Sequence, residues 1–196
     1  MNTIIIITAP SGAGKTSIVH HLLHKMHEQL AFSISATTRT ARVTEVHGQD
    51  YYFMTEPEFH TKIANHEFVE WEMVYQGTYY GTLHSELQRI WNLGKVPVLD
   101  IDVKGAIHVQ EQYGAQCLSI FVQAPSIQAL TARLQQRGTE TAATLQTRID
   151  KASYELSFKN NFDAIIINDV LSVACAEAEN LIIHFLEKNT TFNHGN

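Results

Sequence analysis

A chain of 196 residues, 44% hydrophobic and 17% charged, is long enough for one core and too apolar for wholesale disorder. A net charge of -6 argues against a protein that coats nucleic acid, so an anionic ligand would need a locally positive pocket. Cys117 and Cys175 stand in no CxxC or Cys/His spacing, no apolar run reaches the ~20 residues that span a bilayer, and MNTIIIITAP lacks the basic start of a signal peptide. The expectation is a cytoplasmic protein with no membrane and no nucleic-acid partner.

Ile4–Thr8 is a continuous β-branched run, the pattern of a strand buried on both faces of a parallel sheet. A Gly-rich turn follows. Ile18, Val19, Leu22, Leu23, Met26 and Leu30 then share one helical face, predicting a helix from about Thr16 to Leu30. His20, His24 and His27 fall opposite. Their i, i+4 spacing can bind metal, but a face opposite the apolar stripe reads more simply as solvated. Phe32–Ser35 reads as a second strand.

From about Ala36 to Leu93 the chain turns rich in Tyr, Thr and Glu. Tyr51–Met54, Phe68–Val74 and Thr78–Gly81 read as short strands, with a helix near Glu56–Ala64. This stretch is an insertion that carries a binding surface. Val96–Asp100 restores the buried-strand pattern. A helix near Lys104–Tyr113, a strand at Cys117–Val122 and a helix at Pro125–Arg137, capped by Gly138, come next. A polar stretch at Thr139–Thr144 and a helix from about Ala142 to Phe158 follow. Strand Ala164–Asn168 and a helix from about Val173 to Lys188 complete the order. Strands alternating with helices predict an α/β domain whose parallel sheet is flanked by helices, with ligands beyond the carboxyl ends of the strands.

At the first of those ends stands Ala9-Pro10-Ser11-Gly12-Ala13-Gly14-Lys15-Thr16, followed by Ser17. Strand, Gly-rich turn, GKT and helix is the layout of a phosphate-binding loop. Gly12 and Gly14 let successive N–H groups converge, and the helix aims its positive dipole end at the same point. Lys15 adds a cation, and the Thr16 hydroxyl suits Mg²⁺.

The insertion holds a second candidate anion site. Arg39 and Arg42 lie in TTRTAR, with Ser35 upstream and Tyr51 downstream; paired guanidinium forks can surround a phosphate. Glu70 stands in EFVEW, and Tyr80, Gly81 and Thr82 in TYYGT. A carboxylate suits a partner with two adjacent N–H donors, which guanine offers and adenine does not. Tyr79 alternates with Tyr80 and reads as packing.

Taken together, these motifs resemble the guanylate kinase family over nearly the whole chain. The P-loop, SISATTRTAR, GQDYYF, EFVEW, YYGT, LDIDVKG, RLQQRG and IND occur in the family's order. Ala9, Thr44, Lys104 and Val170 depart from its pattern. The resemblance implies a P-loop NTPase core at about 1–35, 94–137 and 159–190. It also implies a small mixed β/α nucleoside-monophosphate-binding insertion at about 36–93 and a helical lid at about 138–158. It implies transfer of the γ-phosphoryl group of ATP to GMP with Mg²⁺.

Site roles follow from the same resemblance. Arg39, Arg42, Tyr51 and Tyr80 would hold the GMP phosphate; Ser35, Glu70, Gly81 and Thr82 would meet the guanine side. Asp100 would join the Mg²⁺ shell through water, and Asp102 would face GMP. Arg133, Arg137 and Arg148 would belong to the lid side and close over the transferring phosphoryl group, Arg133 and Arg137 binding ATP and Arg148 binding GMP. Asn168 would position the lid arginines or the ATP side. Lys15, Arg39, Arg137 and Arg148 are the expected catalytic group. Two other readings stay open: another small-molecule kinase on this scaffold, such as a ribose bisphosphate kinase, and a non-catalytic guanylate-kinase-like interaction module. Whether the chain is a monomer or a homo-oligomer is open as well.

Overall fold

The computed structural model describes residues 2–136 and 142–191. Five strands form a parallel sheet: β1 (Ile4–Thr8), β2 (Leu30–Phe32), β7 (Val96–Asp100), β8 (Cys117–Gln123) and β9 (Ala164–Ile167), in the order β2-β7-β1-β8-β9. The first strand shows why an unbroken apolar run belongs at the centre. Ile4, Ile5, Ile6 and Ile7 are all fully buried, and successive side chains enter opposite cores. Ile5 and Ile7 pack on one face with Ile18, Val19 and Leu22 of α1 (Lys15–Lys25) and Ala174, Ala178 and Ile182 of α7 (Leu171–Thr191). Ile4 and Ile6 pack on the other face, with Leu87 of α3 (His84–Asn92) and Val103, Ala106 and Val109 of α4 (Val103–Tyr113).

A second, mixed sheet is built from the insertion. It has the order β4-β3-β6-β5, from β3 (Ala36–Thr37), β4 (Tyr52–Phe53), β5 (Phe68–Tyr75) and β6 (Thr78–Leu83). Its small core is Ala36, Phe59, Phe68 and Leu83, with the Phe59 and Phe68 rings stacked 4.4 Å apart. Phe59 comes from α2 (Glu56–Ala64), which opens on a Thr55/Glu58 capping box. Two further helices, α5 (Ile127–Gln136) and α6 (Ala142–Leu156), join through Leu130, Leu134, Leu145, Ile149 and Ala152.

Four local expectations change. The first helix ends at Lys25, because the chain turns at Met26, whose carbonyl accepts from the Gln29 and Leu30 amides. Leu30 then pairs with Val96, so the second strand is Leu30–Phe32 and not Phe32–Ser35. Met26 and Leu30 satisfy a helical period and a turn-plus-strand equally well, which is why periodicity overran the boundary. His27 accordingly lies beyond the helix, and His20, His24 and His27 are all exposed. The helix α3 and the two-residue strand β3 are additions. Arg137, Gly138 and the stretch 139–141 lie outside the described residues.

Candidate active site

The loop after β1 takes its shape from two left-handed glycines, Gly12 at φ 89° and Gly14 at φ 94°. Ala9 needs no such angle, so the departure from glycine there costs no backbone strain. Gly14 also has no room for a side chain, since a Cβ would run into the Asn168 amide. That amide donates to the Ala13 carbonyl at 2.8 Å and pins the loop from below. Gly14 is the N-cap of α1 and brings no side-chain cap, so the helix start presents backbone N–H groups. Lys15 forms an ion pair with Asp100 at the end of β7 and donates to the Ile101 carbonyl at 3.3 Å.

Across from this loop stands the insertion. One cleft of about 390 Å³ is lined by Ala9, Pro10, Ser11, Gly12, Gly14, Lys15 and Thr16 on one wall and by Ser35, Tyr51, Glu70, Tyr80 and Gly81 on the other. Asp100 and Asp102 lie between the walls. Ala13 and Ser17 do not line the cleft; Ala13 is buried beneath the loop and Ser17 faces solvent.

Glu70 is 6% exposed and accepts the Thr82 hydroxyl at 2.7 Å. Burial pushes its carboxyl up to about 7, with the Asp102 charge adding to the rise and the Thr82 hydrogen bond opposing it. Thr82 is fully buried behind it. Asp102 caps α4 by accepting from the Gly105 amide at 2.8 Å. Glycine at 105 is what lets α4 approach: a Cβ there would stand 2.5 Å from Glu70 Oε2.

The two arginines of the insertion stand behind this wall. Arg39 lies over the Tyr51 ring at 5.2 Å, and its guanidinium is held by Glu45. Arg42 is 76% exposed at its side chain. Neither lines the cleft, although Tyr51, whose ring Arg39 lies over, and Tyr80, whose ring meets that of Tyr51, do.

On the helical side, Arg148 of α6 lines the cleft and donates to the Ser11 hydroxyl at 3.4 Å. Lys151 and Glu155, three and seven residues on, line it too. Burial raises the Glu155 carboxyl, opposed by Lys151. Arg133 donates to the Asn168 carbonyl at 2.9 Å, so Asn168 ties this arginine to the phosphate loop.

Glu45, Glu72, Glu86, Lys151 and Glu155 stand at or beside the site without a role assigned by the motifs above. Lys151 and Glu155 had a signal, the i, i+3, i+7 face they share with Arg148. Glu72 had a weaker one, two residues after Glu70 on the same strand face.

A parallel sheet whose first strand feeds a phosphate loop, facing a second wall with a buried carboxylate and paired tyrosines, defines a P-loop nucleoside monophosphate kinase. The guanylate kinase family model matches residues 1–185. The guanylate kinase of Bacteroides thetaiotaomicron is 46% identical over 185 residues, covering 94% of this chain and 90% of that protein. That of Porphyromonas gingivalis is 43% identical, covering 96% and 100%. The crystal structure of guanylate kinase from Anaplasma phagocytophilum superposes with a TM-score of 0.72 at 26% identity, over 93% of this chain and 85% of that one. The chain belongs to the guanylate kinase family.

Proposed function

We propose that this protein transfers the γ-phosphoryl group of ATP to GMP, giving ADP and GDP, as a step of purine nucleotide recycling. The observation that carries the reading is the placement of the buried Glu70 carboxylate and the Lys15 loop on opposite walls of one cleft. Glu70 offers two acceptor oxygens to the N1–H and exocyclic amine of guanine, with Ser35, Gly81, Thr82 and Asp102 around it. Tyr51, Tyr80, Arg39 and Arg42 serve the acceptor phosphate. The loop Ala9–Ser17, Arg133 and Asn168 serve ATP.

Phosphoryl transfer asks for alignment and for positive charge around the moving group rather than covalent chemistry. Lys15 and Arg148 supply that charge from facing elements, with Arg137 assigned to the same group. The acceptor phosphate oxygen is already ionised near neutral pH, so no side chain has to take its proton. In our reading the P-loop core is joined by an acceptor-binding insertion at about 36–93 and a lid at about 138–158, and their closure excludes water.

The donor set fits Mg²⁺. The Thr16 hydroxyl and the Asp100 carboxylate are hard oxygen ligands on the same cleft, and a hydroxyl plus one water-bridged carboxylate is the sparse protein shell this ion accepts. When bound, the ion would neutralise charge on the phosphates of ATP. We place the reaction in the cytoplasm. Both cysteines are buried free thiols, in keeping with a reducing compartment, and no described helix is long and apolar enough to cross a membrane.

A coupled assay for ADP across GMP, AMP and sugar phosphates tests the assignment. ADP formation that depends on GMP is expected. ADP formation with a sugar phosphate in place of GMP would move the chain to another kinase class, and none with any acceptor would make it a binding module.

A further inference from the structure

The Arg39 guanidinium is fixed from three directions. Its Nη1 donates to Glu45 Oε2 and its Nη2 to Glu45 Oε1, both at 2.9 Å, the two parallel bonds of an end-on fork. The other Nη1 hydrogen goes to the Thr40 carbonyl at 2.9 Å. The Tyr51 and Phe53 rings lie against the guanidinium at 5.2 and 5.7 Å and restrain it out of plane. These bonds occupy the end of the fork and its Nη1 side. The edge left over is the Nε–H and the second Nη2 hydrogen, on the opposite side of the planar group. Tyr80, which supports the Arg39 charge through a side-chain hydrogen bond, lines the cleft, as does Tyr51.

Glu45 does more than pair with Arg39. It accepts the Arg42 amide at 2.7 Å, and the Glu45 amide donates back to the Arg42 carbonyl at 3.0 Å, so the carboxylate closes the turn that carries both arginines. Its side chain is 13% exposed. Its arginine partner and the Arg42 amide hold the carboxyl down at about 2, so it stays ionised at any working pH.

We infer that Glu45 is a positioning residue for the acceptor phosphate: by taking the far end of the Arg39 fork, it turns the remaining Nε/Nη2 edge toward the phosphate of the bound nucleoside monophosphate. The inference rests on the kinase reading above and assigns within it a group that touches no substrate. The opposite role, a carboxylate that occupies the phosphate's place and must leave, does not suit the geometry. Glu45 sits on the loop side of the guanidinium, bound to the Arg42 amide, while Tyr51 and Tyr80 line the cleft side.

Calorimetry with GMP and with guanosine tests this, alongside steady-state kinetics. In Glu45→Gln the amide can accept only one of the two Arg39 bonds and turns its own N–H toward the other. GMP affinity is expected to fall about tenfold or more, the size of a charge-assisted hydrogen bond, with guanosine affinity and the KM for ATP unchanged. In an Arg39→Lys background, which has no fork to orient, the same substitution is expected to cost little. Equal or tighter GMP binding by Glu45→Gln would overturn the inference, as would a parallel loss of guanosine binding or a full loss retained in the Arg39→Lys background. Guanosine binding also reports that the variant has folded. Wild-type protein that binds GMP but makes no ADP with it would overturn the kinase reading and leave these binding ratios to decide the role of Glu45.

Discussion

The Thr82 hydroxyl donates to the Glu70 carboxylate at 2.7 Å; both side chains are buried, and Glu70 lies against α4 where Gly105 leaves room for it. Because burial pushes Glu70 up to about 7, the unliganded protein holds it protonated below that pH and ionised above it. A base edge with two N–H donors favours the ionised form. GMP affinity should therefore rise with pH through about 7, and binding below that pH should release a proton from Glu70. Titrations at about pH 6 and about pH 8 check this, with Glu70→Gln subtracting the titration of the GMP phosphate itself. The same pH dependence in both proteins would remove Glu70 from the guanine edge.

The same shift carries a stability consequence of opposite sign. Between about 4.5, its ordinary value, and about 7, the unfolded chain has lost this proton while the native state keeps it. Stability from Glu70 is thus full below the lower value and declines as pH rises to the upper one. Glu70→Gln should flatten that part of the curve, measured as Tm against pH.

Lys15 is tied to Asp100 and to the Ile101 carbonyl, so it already stands at the junction of the two walls. Lys15→Met should lower kcat about a hundredfold or more, the scale of losing one preorganised charge on a developing anion, while the Tm stays near wild type. Near-normal turnover would refute the role.

Glu86 is 2% exposed and holds three segments together. It accepts the Ile34 amide at 2.9 Å and the Tyr52 hydroxyl at 2.8 Å, and Arg89 donates to both of its oxygens. Ile34 and Tyr52 are the chain neighbours of Ser35 and Tyr51. Glu86→Ala leaves the half-buried Ile34 amide and Tyr52 hydroxyl without this partner, which should cost about 3 kcal/mol. In a chain of this size that lowers the Tm by roughly 6–12 °C. A calorimetric scan reads it directly; an unchanged Tm would mean that water replaces the carboxylate.

Asn168 joins the loop to Arg133 through its side chain and its carbonyl respectively. Asn168→Ala frees the Ala13 carbonyl and opens space beside Gly14. The KM for ATP should rise severalfold while that for GMP holds, in initial-rate kinetics with each substrate varied.

The parallel sheet was legible because each strand is apolar on both faces, so Ile4–Ile7 and Val96–Leu99 announce themselves without context. The helix α3 was not. Leu87 and Ile90 are its buried apolar side chains, but the charged Glu86 is buried beside them and the helix surface of Ser85, Gln88 and Arg89 blends with the polar insertion around it. At the site, the GKT loop and Glu70 lie in short motifs that can be read locally. Glu45 and Glu86 could not be found that way, because each gains its meaning from partners that only folding assembles. The arginines show the same division: five of the six arginines were assigned to the site from sequence, and the sixth, Arg89, proves to be the partner of Glu86.

The proposal that ATP and GMP meet in one cleft is tested most directly by a bisubstrate ligand, adenosine and guanosine joined through a chain of phosphates. Calorimetry should show one molecule bound per chain, with ATP and GMP each excluded once it is in place. Binding that leaves either the ATP or the GMP site open would contradict a single shared cleft.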